Sequence, residues 1–348
     1  MATTHSLGEL LAGLDQGSLA LVLAAAVATA AALIVTLLTL SGVRVGGGEL
    51  VDKSVGLRRE ETNGSTGNLA GLEDKVLNPA TFRAFTVVSS KQISHNTKLI
   101  RLGLPADRTL GLPIGRHISV RAEVDGNQVI RAYTPTSSSE TKGYFELLIK
   151  SYEMGKLSPY LHSLKAGSKL DVRGPVGRFR YSKNQHPRIG FVAGGTGLTP
   201  CLQVIRCILQ GPEGEGDTTQ FVLLFQNRTE ADILLRAELE ELQRSFPSRL
   251  QVLFFLSNCG DDKWGNEAGA GSGSGSAGKP APFGDAAFSG SGRVQHLRGY
   301  VDANAVKTLL GPASCPLVGL CGPSGFNDSV KALLVGAGHD EGAGIYVF

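Results

Sequence analysis

The run Gly194-Gly195-Thr196-Gly197-Leu198-Thr199-Pro200 decides the fold of this chain. It follows the short apolar segment 189–193, which predicts a buried β-strand, and precedes residues 201–209, whose apolar spacing is helical. Strand, glycine turn and helix in succession are typical of a nucleotide site, because glycines let the backbone approach a pyrophosphate and a helix N-terminus supplies amide donors. The run lacks the complete Gly-x-Gly-x-x-Gly spacing and is a weak signal by itself.

Two further segments, each at a predicted strand end, strengthen this interpretation. Arg131-Ala132-Tyr133-Thr134-Pro135 comes before the glycine run, and Cys321-Gly322-Pro323 comes after it. A bound flavin needs an aromatic face, a cation for its pyrophosphate and hydrogen-bond donors, and the first segment offers all three. Side chains 131 and 133 lie on one face of a strand. The order of the three segments predicts a flavin-binding module followed by a nicotinamide-binding module.

The surrounding pattern predicts two different folds in succession. Short alternating runs between residues 82 and 181 predict an all-β antiparallel flavin-binding barrel. Beyond it, apolar strands at 221–225, 251–256 and 317–320, with an acidic helix at 234–246, predict an α/β parallel-sheet (Rossmann-like) nucleotide-binding domain. The predicted organisation is a short N-terminal segment (1–18), a transmembrane anchor (19–40), a flexible tether (41–79), an FAD-binding barrel domain (80–182) and an NAD-binding α/β domain (183–348) with a disordered Gly/Ser-rich insertion at 265–292.

The segment 19–40 has no charged residue and is long enough to span a bilayer as a helix. A cleaved signal peptide does not fit, because Glu9 and Asp15 precede the segment and no Lys or Arg does. A buried core helix is the competing interpretation. Basic residues follow the segment, so the positive-inside rule predicts a single-pass protein with a cytosolic catalytic part.

The charge of the chain argues against a nucleic-acid binder, since its 348 residues carry a net charge of only +3. Residues 80–182 nevertheless hold 16 Lys and Arg against 7 Asp and Glu. This basic segment either steers an acidic partner or is a solvated surface. The cysteines have no Cys-x-x-Cys pair and no metal-ligand spacing, so we predict no metal site and a reducing compartment; they are Cys201, Cys207, Cys259, Cys315 and Cys321.

Together with the stretch 225–236 and the closing Tyr346-Val347-Phe348, these segments resemble the NADH-cytochrome b5 reductase family of ferredoxin reductase-like flavoproteins, in its membrane-anchored fungal type. The resemblance covers residues 80–348. It implies a monomer that transfers hydride from NADH to FAD and then single electrons to cytochrome b5 or a similar small acidic protein. It also implies the mitochondrial outer membrane or the endoplasmic reticulum, and some fungal members support diphthamide biosynthesis.

The resemblance assigns site residues one by one. No residue acts as an acid or base, because hydride transfer needs none, and Thr134 and Cys321 only position the reaction. Ser158 is either a phosphate ligand or the cap of the helix that begins there. The implied FAD contacts are Arg131, Ala132, Tyr133, Thr134, Leu148, Lys150, Gly155, Lys156, Leu157, Ser158 and Thr199. The implied NADH contacts are Lys150, Gly194, Gly195, Thr196, Gly197, Cys321, Gly322 and Pro323.

The chain departs from the family pattern at three places, of which one is the insertion at 265–292 and two concern the nicotinamide site. Ser324-Gly325-Phe326 replaces the usual two prolines and methionine, and Ser257 stands where NADH-selective members tend to carry an acid. Two alternatives therefore stand beside the main interpretation. One is an NADPH-dependent or quinone-type flavin reductase, and the other is a membrane interaction module without redox activity.

Overall fold

The structure is a computed structural model that describes residues 75–152, 154–258 and 294–348. The predicted anchor at 19–40 and the predicted insertion at 265–292 lie outside these residues. Within the described ranges, no helix has the length and apolar character needed to cross a bilayer. The described residues form two six-stranded sheets in sequence order.

The first sheet is antiparallel throughout and runs in the order β4-β3-β6-β1-β2-β5. Alternate side chains of its strands turn inward, so residues such as Ile100 and Leu102 are fully buried in a common core. Helix α1 (Leu157–Ser163) contacts β4 and β5, the two edge strands. The strands are β1 (Arg83–Ser94), β2 (Thr97–Gly103), β3 (His117–Val124), β4 (Asn127–Tyr133), β5 (Tyr144–Lys150) and β6 (Lys169–Val176).

The second sheet is parallel throughout and runs in the order β10-β9-β8-β7-β11-β12. Its strands are β7 (Arg188–Gly194), β8 (Gln220–Asn227), β9 (Leu250–Leu256), β10 (Gln295–Arg298), β11 (Leu317–Cys321) and β12 (Ile345–Val347). Among the described residues, four α-helices connect them: α2 (Leu198–Leu209), α3 (Arg236–Ser245), α4 (Ala303–Leu310) and α5 (Ser324–Gly336). The predicted antiparallel and parallel sheets are both confirmed.

Both faces of the parallel sheet are covered, which explains why its strands are apolar almost without interruption. Phe191, Leu223 and Val252 belong to one core cluster together with α2 and α3. The neighbouring residues Val192 and Leu253 belong to a second cluster that includes residues of α4 and α5. Successive side chains of each strand thus point to opposite faces of the sheet, and each face packs against its own layer of helices.

The order of the strands creates a switch point beside β7. The chain moves from β7 to β8, β9 and β10 in one direction, and β11 then returns to the other side of β7. Ligands of such sheets bind in the crevice at the carboxyl ends of the strands where this reversal occurs. The residues that end β7 and β11 are Gly194 and Cys321, which were both predicted to bind nucleotide.

The acidic helix starts later than its sequence pattern predicts. A 3-10 turn (Glu230–Asp232), closed by a capping box from Thr229, comes first. Leu235 then adopts a left-handed conformation with φ 54°, so α3 begins only at Arg236. One face of α3 is buried, at Leu239, Leu242 and Gln243, which is the spacing of an amphipathic helix.

Candidate functional site

The glycine turn and the Cys-Gly-Pro segment meet at the switch point. A Cβ built on Gly197 would lie 2.0 Å from the carbonyl oxygen of Cys321, so only glycine allows the two segments this approach. Gly195 has φ +55° and open space where a Cβ would stand. Thr196 is the middle residue of the 3-10 turn (Gly195–Gly197), and the buried Thr199 donates from Oγ1 to the Thr196 carbonyl at 3.2 Å. The predicted nicotinamide segments are thus in contact.

Phe326, in the segment that departs from the family pattern, packs against both glycine positions. A Cβ on Gly322 would lie 2.4 Å from its ring, and one on Gly194 would lie 3.1 Å away. Pro323 precedes α5 as its N-cap residue. The aromatic ring therefore supports the Cys321-Gly322-Pro323 segment from the side of α5.

Cys321 is half-buried and free. Burial raises the pKa of its thiol to about 11, so the group is protonated at neutral pH. A protonated thiol is a poor nucleophile. Positioning, rather than covalent chemistry, therefore stays the predicted role of Cys321.

The predicted flavin strand lies at the open edge of the barrel. Arg131 and Ala132 are exposed, Tyr133 is half-buried and Thr134 is buried. The guanidinium of Arg131 donates only to the Ile130 carbonyl, at 2.8 Å, and no carboxylate among the described residues pairs with it. Burial raises the pKa of Tyr133 to about 12, although the nearby Arg131 charge acts in the opposite direction. Tyr133 is therefore neutral at physiological pH.

The loop before α1 places the next predicted group beside β5. Ser158 is buried and accepts a hydrogen bond on Oγ from the Tyr152 amide at 3.3 Å. The N-cap position belongs to Lys156, which is exposed, so Ser158 does not cap α1. Gly155 is required here, because its Cβ would lie 2.5 Å from Ser158 Oγ. Leu157 packs in the barrel core.

Lys150 was predicted to contact both cofactors, and the structure pairs it with a carboxylate of the other sheet. Its Nζ lies 2.9 Å from Asp232 Oδ1, and both side chains are largely buried. Burial tends to raise the pKa of Asp232, but hydrogen bonds from Lys150 and Thr229 outweigh it and hold that pKa below its ordinary value. The Leu148 side chain also faces this junction, because it packs in the core of the second sheet.

The predicted motifs did not include the polar contacts by which α2 joins the barrel. Gln203 Oε1 accepts from the Gly115 amide at 2.9 Å. Arg206 donates to the Thr136 carbonyl and pairs with Glu238, and burial lowers its pKa to about 10. Gln203 and Arg206 are two polar residues, three positions apart on a mostly apolar helix, and this spacing could have indicated the contacts.

Asn227, the last residue of β8, is another residue that the motifs missed. Its side chain is 5% exposed, and both amide atoms lack a hydrogen-bond partner among the described residues. A buried polar group in this state costs about 1–3 kcal/mol. Because such groups call for an explanation and this one lies at the ligand-binding edge of the sheet, Asn227 is a candidate site residue.

The arrangement fits both an FAD and a nicotinamide dinucleotide. Tyr133 is half-buried with Arg131 and Tyr152 nearby, and Tyr152 is 46% exposed, so aromatic surface is available for a flat ring system next to the Arg131 cation. The open space at Gly195 leaves room for a pyrophosphate above the turn. The two places are adjacent, since the Tyr152 hydroxyl lies 3.3 Å from Thr196 Oγ1.

Comparison with protein families agrees with this geometry. The profile of an oxidoreductase FAD-binding domain matches residues 84–181, and that of an oxidoreductase NAD-binding domain matches residues 191–270. NADH-cytochrome b5 reductase 1 of Lodderomyces elongisporus is 37% identical over 265 residues, which are 76% of this chain and 77% of that relative. The chain belongs to the NADH-cytochrome b5 reductase family. It therefore carries the FAD-binding and NAD-binding domains of that family.

Other family members match over a shorter span. NADH-cytochrome b5 reductase 1 of Cryptococcus neoformans is 46% identical over 185 residues, and that of Dictyostelium discoideum is 47% identical over 186 residues. Each match covers 53% of this chain, and 62% and 64% of the respective relative. These alignments thus span less than two thirds of the relatives' length.

Solved structures of the family share the architecture. The cytochrome b5 reductase domain of Ulva prolifera nitrate reductase superposes with a TM-score of 0.65 at 31% identity, covering 79% of this chain and 100% of that domain. The CS-b5R domains of human Ncb5or, in the NAD+ form, give a TM-score of 0.59 at 27% identity, covering 79% of this chain and 71% of theirs.

Proposed function

We propose that this protein accepts hydride from NADH and passes electrons one at a time to cytochrome b5 or a similar small acceptor protein. The contact between Gly197 and Cys321 carries the proposal, together with the Tyr152 hydroxyl of the barrel side, which lies 3.3 Å from Thr196 Oγ1 in the same glycine turn. A nicotinamide and a flavin ring held at contact distance beside these residues would have the positioning that hydride transfer requires.

Each side chain has a positioning role in this proposal. Arg131 binds the flavin pyrophosphate, and Tyr133 packs against the flavin ring as a neutral phenol. Gly195 and Thr196 bind the pyrophosphate of the dinucleotide, and Cys321 orients its ring without giving up its proton. Bound FAD supplies the chemistry, because it accepts a hydride and releases electrons singly.

The basic charge of the barrel favours an acidic acceptor. Several cations of the barrel are exposed at its surface, namely Lys91, Arg131, Lys156, Lys165, Lys169, Arg178 and Arg180. A surface of one sign raises the association rate of an oppositely charged partner and makes that rate dependent on ionic strength. Electron transfer to cytochrome b5 should therefore slow as salt is added.

An anaerobic titration tests the proposal. The full-length chain, purified in detergent and loaded with FAD, should show flavin absorbance that NADH bleaches. Oxidised cytochrome b5 should then restore the absorbance, with twice as many cytochrome molecules reduced as NADH consumed. A protein that retains no FAD after refeeding, or a bound flavin that NADH leaves oxidised, would exclude the proposed activity.

The proposal includes a membrane anchor at residues 19–40, which supports a location on the cytosolic face of the mitochondrial outer membrane or endoplasmic reticulum. Removal of residues 1–45 should release the protein from membranes during fractionation and leave NADH-dependent bleaching intact. Continued membrane association of the truncated chain would contradict the anchor. The monomeric state and the role in diphthamide formation stay predictions from the resemblance.

A further inference from the structure

The carboxyl edge of the parallel sheet is basic on the side of β8, β9 and β10. Arg228 directly follows β8, Ser257 directly follows β9, and Arg298 ends β10. The Ser257 amide donates to the Asn227 carbonyl at 3.1 Å, and the Asn258 amide donates to the Arg228 carbonyl at 2.7 Å. These bonds extend the pairing of β8 with β9 and fix Arg228 beside Ser257.

The position of Arg228 in the sheet corresponds to the region that binds the adenosine ribose in dinucleotide-binding sheets. β8 is the neighbour of β7, the strand of the glycine turn, on the side away from β11. In dinucleotide-binding sheets an acid in this region hydrogen-bonds the 2′-hydroxyl of the adenosine ribose, whereas a nearby arginine accommodates a 2′-phosphate. Here the strand ends carry an arginine and a serine, and neither is an acid.

The charge of Arg228 is available to a ligand. Its side chain is exposed, and none of the described carboxylates pairs with it. The two acids that follow it along the chain are engaged elsewhere, since Glu230 pairs with Arg236 and Asp232 pairs with Lys150. The edge therefore presents an uncompensated guanidinium next to the Ser257 hydroxyl, whose own bond to the Asn227 carbonyl is a long one of 3.5 Å.

We infer that Arg228 and Ser257 form a site for the 2′-phosphate of the dinucleotide, so that the protein takes NADPH as a hydride donor besides NADH. The inference rests on the proposed function and adds a second donor to it. A guanidinium binds phosphate oxygens with paired hydrogen bonds, and the Ser257 hydroxyl adds one donor. An aspartate at position 257 would instead repel the phosphate and favour the free ribose hydroxyl.

Calorimetry with two probes tests the site without any reaction. Adenosine 2′,5′-bisphosphate and 5′-AMP differ only in the 2′-phosphate, and each is titrated into the FAD-loaded, full-length protein. The bisphosphate should bind at least about tenfold more tightly at low ionic strength, and its advantage should shrink with added salt. NADPH should bleach the bound flavin, as NADH does.

Three variants test which residues bind the 2′-phosphate. Arg228→Gln should weaken binding of the bisphosphate about tenfold and leave 5′-AMP unchanged. Ser257→Asp should shift the preference toward 5′-AMP by at least a similar factor. Arg244→Gln is the matched control: α3 runs from the end of β8 back to the start of β9, so Arg244 lies near the opposite edge of the sheet, and its loss should change neither affinity.

The outcomes separate this inference from the proposed function. Equal affinity of the wild-type protein for both probes, or an Arg228→Gln variant that weakens both alike, would overturn the 2′-phosphate site. Bleaching by NADH with none by NADPH would overturn the inference and leave the proposed function standing. If neither donor bleached the flavin, the proposed function would fail, and NADPH as a donor would fail with it.

Discussion

Lys150 Nζ and Asp232 Oδ1 lie 2.9 Å apart, across the junction between the antiparallel barrel and the parallel sheet. The lysine ends β5, which is followed by the loop before α1, and the aspartate lies in the 3-10 turn that follows β8. Thr229 donates to the same carboxylate at 2.7 Å. One hydrogen-bonded ion pair thus links the predicted flavin site to the turn that follows β8 of the parallel sheet.

Lys150→Met should lower the free energy of unfolding by about 3 kcal/mol, because it leaves the Asp232 carboxylate buried without its cation. The two side chains are only 14% and 11% exposed, so solvent screens the pair weakly. Urea denaturation at saturating FAD measures the change. Arg244→Met, which removes an exposed partner of Glu241, should cost less than about 1 kcal/mol. Equal losses of unfolding free energy in the two variants would show that the buried pair stabilises the fold no more than the exposed pair does.

Asp232 should also contribute to the acid sensitivity of the fold. Its pKa in the folded protein lies below the ordinary value of 3.8, so the unfolded chain binds more protons between those two values. The stabilisation is complete above the ordinary value and is lost as the pH falls through the folded value. Stability measured from pH about 5 downward should decline less steeply in Asp232→Asn than in the wild-type protein. Identical slopes would contradict the assignment.

The sequence predicted the parts of the fold that depend on neighbouring residues. The apolar run of β7, the glycine turn and α2 were all found, because each has a local pattern of burial or backbone conformation. The short strands β10 and β12 were missed, since four and three residues carry too little pattern to identify a strand. The start of α3 was misplaced because Leu235 adopts a left-handed conformation that nothing in its side chain requires.

The contacts across the junction between the two sheets could not be predicted from local sequence patterns. Lys150 and Asp232 are separated by 82 residues, and Gln203 and Gly115 by 88. Their pairing depends on how the two sheets pack, which no motif encodes. Phe326 illustrates the same limit: it was noted as a departure from a family pattern, and only the structure shows its ring against Gly194 and Gly322.

Gly197→Ala should disrupt dinucleotide binding, because the new Cβ would overlap the Cys321 carbonyl and push the Cys321–Pro323 segment away from the turn. We expect the dissociation constant for NAD+ to rise at least about tenfold while FAD content stays normal. Equilibrium titration of the FAD-loaded protein measures both. Gly336→Ala is the control, since a Cβ there meets no atom within 4 Å. Unchanged affinity in Gly197→Ala would mean that the segment can move at little cost.

Arg131→Ala should weaken FAD retention about tenfold or more, since it removes the cation proposed to bind the flavin pyrophosphate. The fold should be unaffected, because among the described residues this exposed guanidinium bonds the neighbouring Ile130 carbonyl and no other group. Flavin content after gel filtration and the FAD dissociation constant are the measurements. Lys91→Ala removes an equal charge from an exposed position on β1 and should retain FAD normally. If both variants lost flavin equally, general charge rather than Arg131 would be responsible.

Cys321 should react with iodoacetamide slowly at neutral pH and faster as the solution becomes alkaline. Burial raises the pKa of its thiol to about 11, and only the thiolate is an effective nucleophile. The labelling rate, followed by mass spectrometry of the Cys321 peptide, should rise about tenfold for each pH unit below that value. Because Cys321 contacts the glycine turn, bound NAD+ should slow the reaction. A rate that is constant from neutral pH upward would show that the thiol is already ionised, and Cys321 would then need a chemical role beyond positioning.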